Sequence, residues 1–371
     1  MDDRNAQVGW TEAQWNRVRE EVLQAWQRVR VAGSFLPIYG PLPPSTQVVP
    51  SEVLKLDGTV DDDATANLLE IALPVTLSRQ QIWEEDLSSA LLQFRRRATQ
   101  LGQLEDWYIF NGTYPSIVFL PNARAAFAQE KIAGLPGYRP ALPYLEHLTP
   151  NEWAPMSGTP MEGVKENLQI EDMRHRNPGA LGLIEAPWVE REAKQAPQLQ
   201  AQQRAQQACR LDNDGLMKAI VAAIDSLEEN GYVAPYVCVF GRNPFEAAFK
   251  SIKNSTVLPR DRIEPLIGRE LLHASGIDIL PQSFDVYDPK LDQGHWRSRG
   301  VLLSMADEPI DLALAAEATP EFRQVDLGGK YVFSVFERFA LRVKDAKAIV
   351  PLMFETPEEA KKREEAENPN S

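Results

Sequence analysis

The N-terminal segment couples a long amphipathic helix directly to an extended, proline-punctuated arm, and this pairing constrains the fold more than any other feature. Thr11 is placed as a helix N-cap with Gln14 three residues on, and Trp10 and Trp15 flank the start as a hydrophobic staple. Trp15, Val18, Val22, Trp26 and Val29 recur at spacings of three and four, so they share one helical face. The spacing predicts a helix over residues 12–32, about 30 Å long at the usual rise per residue, with Gly33 as its stop. The sequence Phe35-Leu36-Pro37-Ile38-Tyr39-Gly40-Pro41-Leu42-Pro43-Pro44 cannot continue it, because proline fixes φ and biases its predecessor toward extended geometry. A helix carrying three tryptophans on such a tether has to dock onto something other than its local sequence.

The chain is long enough for a sizeable core and several subdomains, at 371 residues. Its 43% hydrophobic and 25% charged content is that of a globular protein. No apolar stretch reaches the roughly 18 residues of a membrane span, and the Met-Asp-Asp start lacks a signal-type apolar region. Two cysteines, Cys209 and Cys238, form no metal or redox motif, so the expected setting is cytoplasmic. A net charge of −14 argues against phosphate neutralisation and specific nucleic-acid binding. The one dense basic run, Arg95-Arg96-Arg97, reads as a solvated helix face or an ion-pair site.

Further along, residues 48–78 read as two extended segments around an acidic turn. The return segment alternates, with Leu69, Ile71, Leu73, Val75 and Leu77 on one face, and Pro74 confines it to a sheet edge. Helices are predicted over residues 87–110, ending at Asn111-Gly112, and over 217–227, stopped by Gly231. A buried strand follows at Tyr236–Phe240. Gly241-Arg242-Asn243-Pro244 reads as a turn into a short helix with Phe245, Phe249 and Ile252 inward, then a helix over 260–274 and a strand over 277–280. Strands are expected over 301–305, 311–315, Tyr331–Val343 and 348–354, with an exposed charged tail from Glu355. Residues 136–210 hold nine of the 28 prolines and end in a glutamine-rich run, the composition of an insertion rather than a separate core.

No catalytic constellation emerges. The four histidines, His147, His175, His273 and His295, show no metal-ligand spacing, and His273 reads as a helix C-terminal charge. No serine lies in a GxSxG elbow, no GxGxxG follows a strand, and Gly328-Gly329-Lys330 reads as a turn rather than a phosphate loop. Trp83 reads as an aromatic filling a helix–sheet contact.

Taken in order, these segments resemble the encapsulins, linocin-like shell proteins with the HK97 phage capsid fold. The resemblance is carried by the helix from Trp10 to Gly33 with Ile38-Tyr39-Gly40-Pro41-Leu42, by Leu73-Pro74-Val75, and by Glu105-Asp106-Trp107-Tyr108-Ile109-Phe110-Asn111-Gly112. It continues in Gly215-Leu216-Met217-Lys218-Ala219-Ile220, in Ala234-Pro235-Tyr236-Val237-Cys238-Val239-Phe240, and in the strand from Phe333 to Val343 with Ala348-Ile349-Val350. It implies an α+β, HK97-like fold: N-terminal helix and arm over 1–45, E-loop over 46–78, P-domain spine helix over 79–116, an A-domain-associated insertion over 117–211, A-domain over 212–310, P-domain return strands over 311–354 and an exposed tail over 355–371. It further implies a shell that self-assembles with copies of itself around a cargo enzyme held by a terminal targeting peptide; the chain itself is assigned no enzymatic activity and no cofactor. Trp15, Val18, Val22, Trp26, Phe35, Ile38 and Tyr39 would line or support the luminal groove for that peptide. The rivals are a phage or prophage major capsid protein of the same fold, and a soluble enzyme with its site in the insertion.

Overall fold

The computed structural model describes residues 5–54, 59–61, 64–112, 182–184, 209–251, 257–277 and 298–355. The fold class is α+β. Helix α1 (Glu12–Gln27) leads through a 3-10 turn at Ala32–Ser34 into strand β1 (Ile38–Tyr39). Short strands β2 (Val48–Pro50), β3 (Val53–Leu54), β4 (Val60–Asp61) and β5 (Thr65–Asn67) form a folded-back excursion, β2 pairing with β5 and β3 with β4. Strand β6 (Leu69–Leu77), the short helix α2 (Arg79–Ile82) and the long helix α3 (Ser88–Asn111) complete the first part. The acidic turn around Asp57 and Asp62, and the insertion apart from residues 182–184 and 209–211, lie outside the described residues.

Two sheets organise the rest. Strands β1, β11 (Ile310–Val325), β12 (Tyr331–Val343) and β6 stand in that order in a four-stranded sheet. Strand β6 lies at its edge, as Pro74 requires, and buries Ile71, Leu73, Val75 and Leu77 in the expected alternation. The five-stranded sheet runs β7 (Cys209–Arg210), β13 (Ile349–Glu355), β10 (Ser298–Ser304), β8 (Tyr236–Phe240) and β9 (Leu272–His273). Helices α4 (Asn213–Glu229), α5 (Arg242–Ala248) and α6 (Pro259–Ile267) belong to this second unit. Strand β8 is buried on both faces, which explains its uninterrupted apolar run. Tyr236, Cys238 and Phe240 pack with Leu216, Ile220 and Ile263. Val237 and Val239 join the main core with Phe94, Leu101 and Phe333.

Several expectations are corrected. Helix α1 ends at Gln27 rather than near residue 32, because a distant carboxylate captures the next backbone donors, as described below. Strand β11 extends to Val325, three times the length expected, because register shifts and Pro320 break the alternation that marks a strand in sequence. The proline is tolerated because β1 flanks β11 only at Leu312 and Ala313, leaving Pro320 on an open side. Asn243 and Pro244 lie inside α5, which turns Pro244, Ala247 and Ala248 inward and leaves Phe249 exposed; Ile252 is outside the described residues. Helix α6 stops at Ile267, where Gly268 adopts a left-handed cap, so His273 sits in edge strand β9 and not at a helix end. Ile277, the first residue of the strand expected over 277–280, closes a 3-10 turn at Ser275–Ile277, and residues 278–280 lie outside the described residues. Strand β13 pairs with β10, in the other sheet from β12, and Glu355 is buried at its end; residues 356–371 of the expected tail lie outside the described residues. Trp83 is 70% exposed beneath the Arg79 guanidinium and fills no helix–sheet contact.

Candidate functional site

The N-terminal helix and arm meet the rest of the chain at three successive places. The first is the start of α1. The Gln14 amide donates to the Thr11 hydroxyl (3.3 Å) and the Thr11 amide to the Gln14 side-chain oxygen (2.9 Å), closing the expected capping box. The Trp10 indole N–H donates to the Ile82 carbonyl (3.0 Å), and its ring stacks on Phe333 at 5.2 Å. Trp15 and Phe94 close an aromatic cluster around Phe333.

The second place is the elbow between α1 and the arm. The Val31 amide donates to Asp106 Oδ2 (2.8 Å) and the Ala32 amide to Asp106 Oδ1 (2.9 Å). Arg30 Nη2 donates to Glu105 Oε1 at 2.5 Å while its guanidinium lies 3.9 Å over the Trp26 ring. Glu337 of β12 is buried beside them. Burial pushes the Glu105 carboxyl up to about 7, against the pull of Arg30. Burial likewise raises Asp106 to about 6 despite its two backbone donors. Glu337 is held well above the usual carboxylate range, first by burial and then by the charge of Glu105. Gly102 allows α3 to pass close to Val29 and Trp26 here, since a Cβ at that position would lie 2.8 Å from a Val29 methyl.

The third place is the arm. Strand β1 adds in parallel to β11, Ile38 opposite Leu312 and Tyr39 opposite Ala313, and the Leu42 amide donates to the Leu314 carbonyl (3.2 Å). The Tyr39 ring lies 3.6 Å from Arg342, whose guanidinium also donates to the Pro50 carbonyl (2.9 Å) of the excursion.

The candidate groove residues are thus separated. Trp15, Val18, Val22 and Trp26 are sealed inside the chain's own core, at 1% exposure or less. Phe35 is half-buried, whereas Ile38 (50%) and Tyr39 (39%) remain exposed. The elbow residues Arg30, Glu105, Asp106 and Glu337 escaped sequence reading, although Glu337 gives a signal: it occupies an inward position in the otherwise apolar face of Tyr331, Phe333, Val335 and Phe339.

Elsewhere, Arg95 of the basic run pairs with Glu21 of α1 at 2.7 Å, tying the two helices together. The Tyr232 hydroxyl donates to Asp345 (2.5 Å), and burial, with this bond, raises its pKa. Full burial also pushes the Cys238 thiol up, away from nucleophilic chemistry. Among the described residues no group of three or more His, Cys, Asp or Glu side chains is arranged to hold a metal ion. No described helix is long and apolar enough to cross a membrane.

With this geometry in view, residues 198–280 match the family model of Linocin_M18, described as encapsulating protein for peroxidase. The match spans β7, α4, β8, α5, α6 and β9, the helices and both edge strands of the five-stranded sheet, and bears out the resemblance to encapsulin shell proteins. No curated protein matches the chain in sequence. Among solved structures, the chain is similar to a virus-like particle from Pyrococcus furiosus, with a TM-score of 0.49 and 10% identity over 92% of this chain and 100% of that one. It is also similar to the holo-SrpI encapsulin complex from Synechococcus elongatus, with a TM-score of 0.44 and 10% identity over 87% and 86% of the two chains. The capsid of Myoviridae phage XM1 gives a TM-score of 0.37 and 13% identity over 78% and 74%.

Proposed function

We propose that the chain is a structural shell protein that assembles with copies of itself into a closed icosahedral compartment in the cytoplasm and encloses a cargo enzyme. The observation that carries this reading is the match of residues 198–280 to the encapsulating-protein family. Two features of the chain support it. The excursion β2–β5 and the edge strand β6 present backbone edges of the kind that pair with a neighbouring chain. The arm adds to the sheet edge at β11 and is tied to the excursion through Arg342. In this reading the four-stranded sheet with α3 acts as the P-domain, the five-stranded sheet with α4 to α6 as the A-domain, and the excursion as the E-loop. The chain contributes scaffold, and chemistry belongs to the cargo.

For the targeting peptide, Phe35, Ile38 and Tyr39 supply the accessible apolar surface, while Trp15, Val18, Val22 and Trp26 support it from within. Size-exclusion chromatography and negative-stain microscopy of the purified chain test assembly. A megadalton spherical particle with protein content is expected, and a monomer or small oligomer would overturn the reading. Particles filled with nucleic acid would instead favour a phage or prophage capsid protein of the same fold.

A further inference from the structure

The elbow at residues 28–34 carries more acid than its surroundings can neutralise. Arg30, Glu105, Asp106 and Glu337 are exposed by 8%, 0%, 3% and 0% respectively, and they come from three parts of the chain: the elbow after α1, helix α3 and strand β12. Arg30 is the one cation among them, and it reaches a single oxygen, Oε1 of Glu105. Asp106 is served by the backbone amides of Val31 and Ala32. Glu105 Oε2, both oxygens of Glu337 and Arg30 Nε have no hydrogen-bond partner of normal geometry among the described residues, and the Trp26 indole N–H, itself outside normal geometry, is the one further donor that bears on Glu105 and Glu337.

No other described element sends a charge into this space. Opposite Glu337, β6 presents Ile71, while its neighbour Glu70 pairs with Arg338 on the other face. From β11 come Leu314 and Ala318, both apolar, and Glu317 is exposed. On α3, Arg97 turns to Gln100 of its own helix. Three carboxyls against one guanidinium leave a surplus of two negative charges if all ionise, in a site sealed from water. A proton held between Glu105 and Glu337 removes one of them.

We infer that this junction is a proton-operated latch: protonation of the Glu105–Glu337 pair holds the elbow against α3, and full ionisation loosens it, freeing α1 and the arm to reorient. The elbow is the part that yields because its polar anchors all end on Glu105 and Asp106. The rest of α1 is held largely by apolar contacts, and in its ion pair to α3 the Arg95 guanidinium holds the Glu21 carboxyl below its usual range, so that pair stays ionised from pH 5 upward. The inference stands on this chain's own geometry and does not require the shell reading.

Amide hydrogen exchange of the full-length chain between pH 5 and 8.5, corrected for intrinsic rates, tests it. Protection at residues 28–34 should fall with rising pH by on the order of 10- to 100-fold relative to β12 and α4, because opening the elbow returns these buried carboxyls part of the way toward their ordinary values. Glu337→Gln keeps the shape but cannot ionise, so its profile should be flat. Glu105→Gln should also flatten it, which keeps the test decisive if one variant fails to fold. Protection in the wild type that does not change with pH, or an unchanged pH profile in a folded variant, would overturn the latch.

Discussion

Asp311 and Arg342 are direct cross-strand partners on β11 and β12, and their side chains close a two-point ion pair, Nε to Oδ1 at 2.6 Å and Nη2 to Oδ2 at 2.5 Å. Both are buried, and Lys344 approaches the same carboxylate at 3.0 Å. Because Arg342 also carries the Tyr39 ring and the Pro50 carbonyl, one guanidinium ties the arm, the excursion and the sheet together. Replacing it by Leu strands a buried carboxylate with only Lys344 and should cost about 3 kcal/mol. Arg342→Lys should recover little, since an ammonium cannot reproduce the planar fork. Urea unfolding of the two variants checks both statements.

Phe333 stands where four other aromatic rings converge, Trp10, Trp15, Phe94 and Phe322. Phe333→Ala should lose about 3–5 kcal/mol through the cavity it leaves. It should also release the start of α1, visible as lost exchange protection at residues 10–18.

Gly102 is the close-approach point between the end of α1 and α3. A Val29 methyl and the Trp26 carbonyl stand 2.8 Å and 3.1 Å from where a Cβ would go. Gly102→Leu should therefore cost about 1–3 kcal/mol by overpacking, even though it removes a glycine from a helix interior. A lowered denaturation midpoint with an unchanged slope is the expected outcome.

The elbow carboxyls also set a sign for global stability against pH. Their folded-state values lie above their ordinary ones, from 4.5 to about 7 for Glu105 and from 3.8 to about 6 for Asp106. The folded chain thus binds protons more tightly than the unfolded chain. The contribution is full below about pH 4 and is lost progressively as pH rises through 7. Glu105→Gln should reduce this decline, which denaturation midpoints at pH 5, 6, 7 and 8 would record.

Ile38 allows the proposed cargo contact to be tested apart from folding. It is half exposed, so Ile38→Asp should leave stability within about 0.5 kcal/mol. On the proposed function it should sharply reduce co-purification of a protein carrying the targeting peptide. Unchanged loading of an assembled Ile38→Asp shell would remove Ile38 from the groove.

What the sequence determined by itself is what short-range chemistry controls. The start of α1 was legible because Thr11 and Gln14 complete a cap within one turn. Strand β12 was legible because its alternation runs over thirteen residues with Glu337 its one charged inward position, and the edge position of β6 because Pro74 cannot donate. Tertiary structure decided everything that depends on partners far along the chain. Helix α1 stops early because Asp106, about 75 residues away, accepts the Val31 and Ala32 amides. The tryptophan face, which local pattern could only describe as apolar, is closed against α3 and β12, leaving Ile38 and Tyr39 as the accessible remainder. Glu337 marks the boundary between the two. Its inward position follows from the period of the strand, but its burial beside Glu105, Asp106 and Arg30 requires three elements to converge, and no local pattern encodes that convergence.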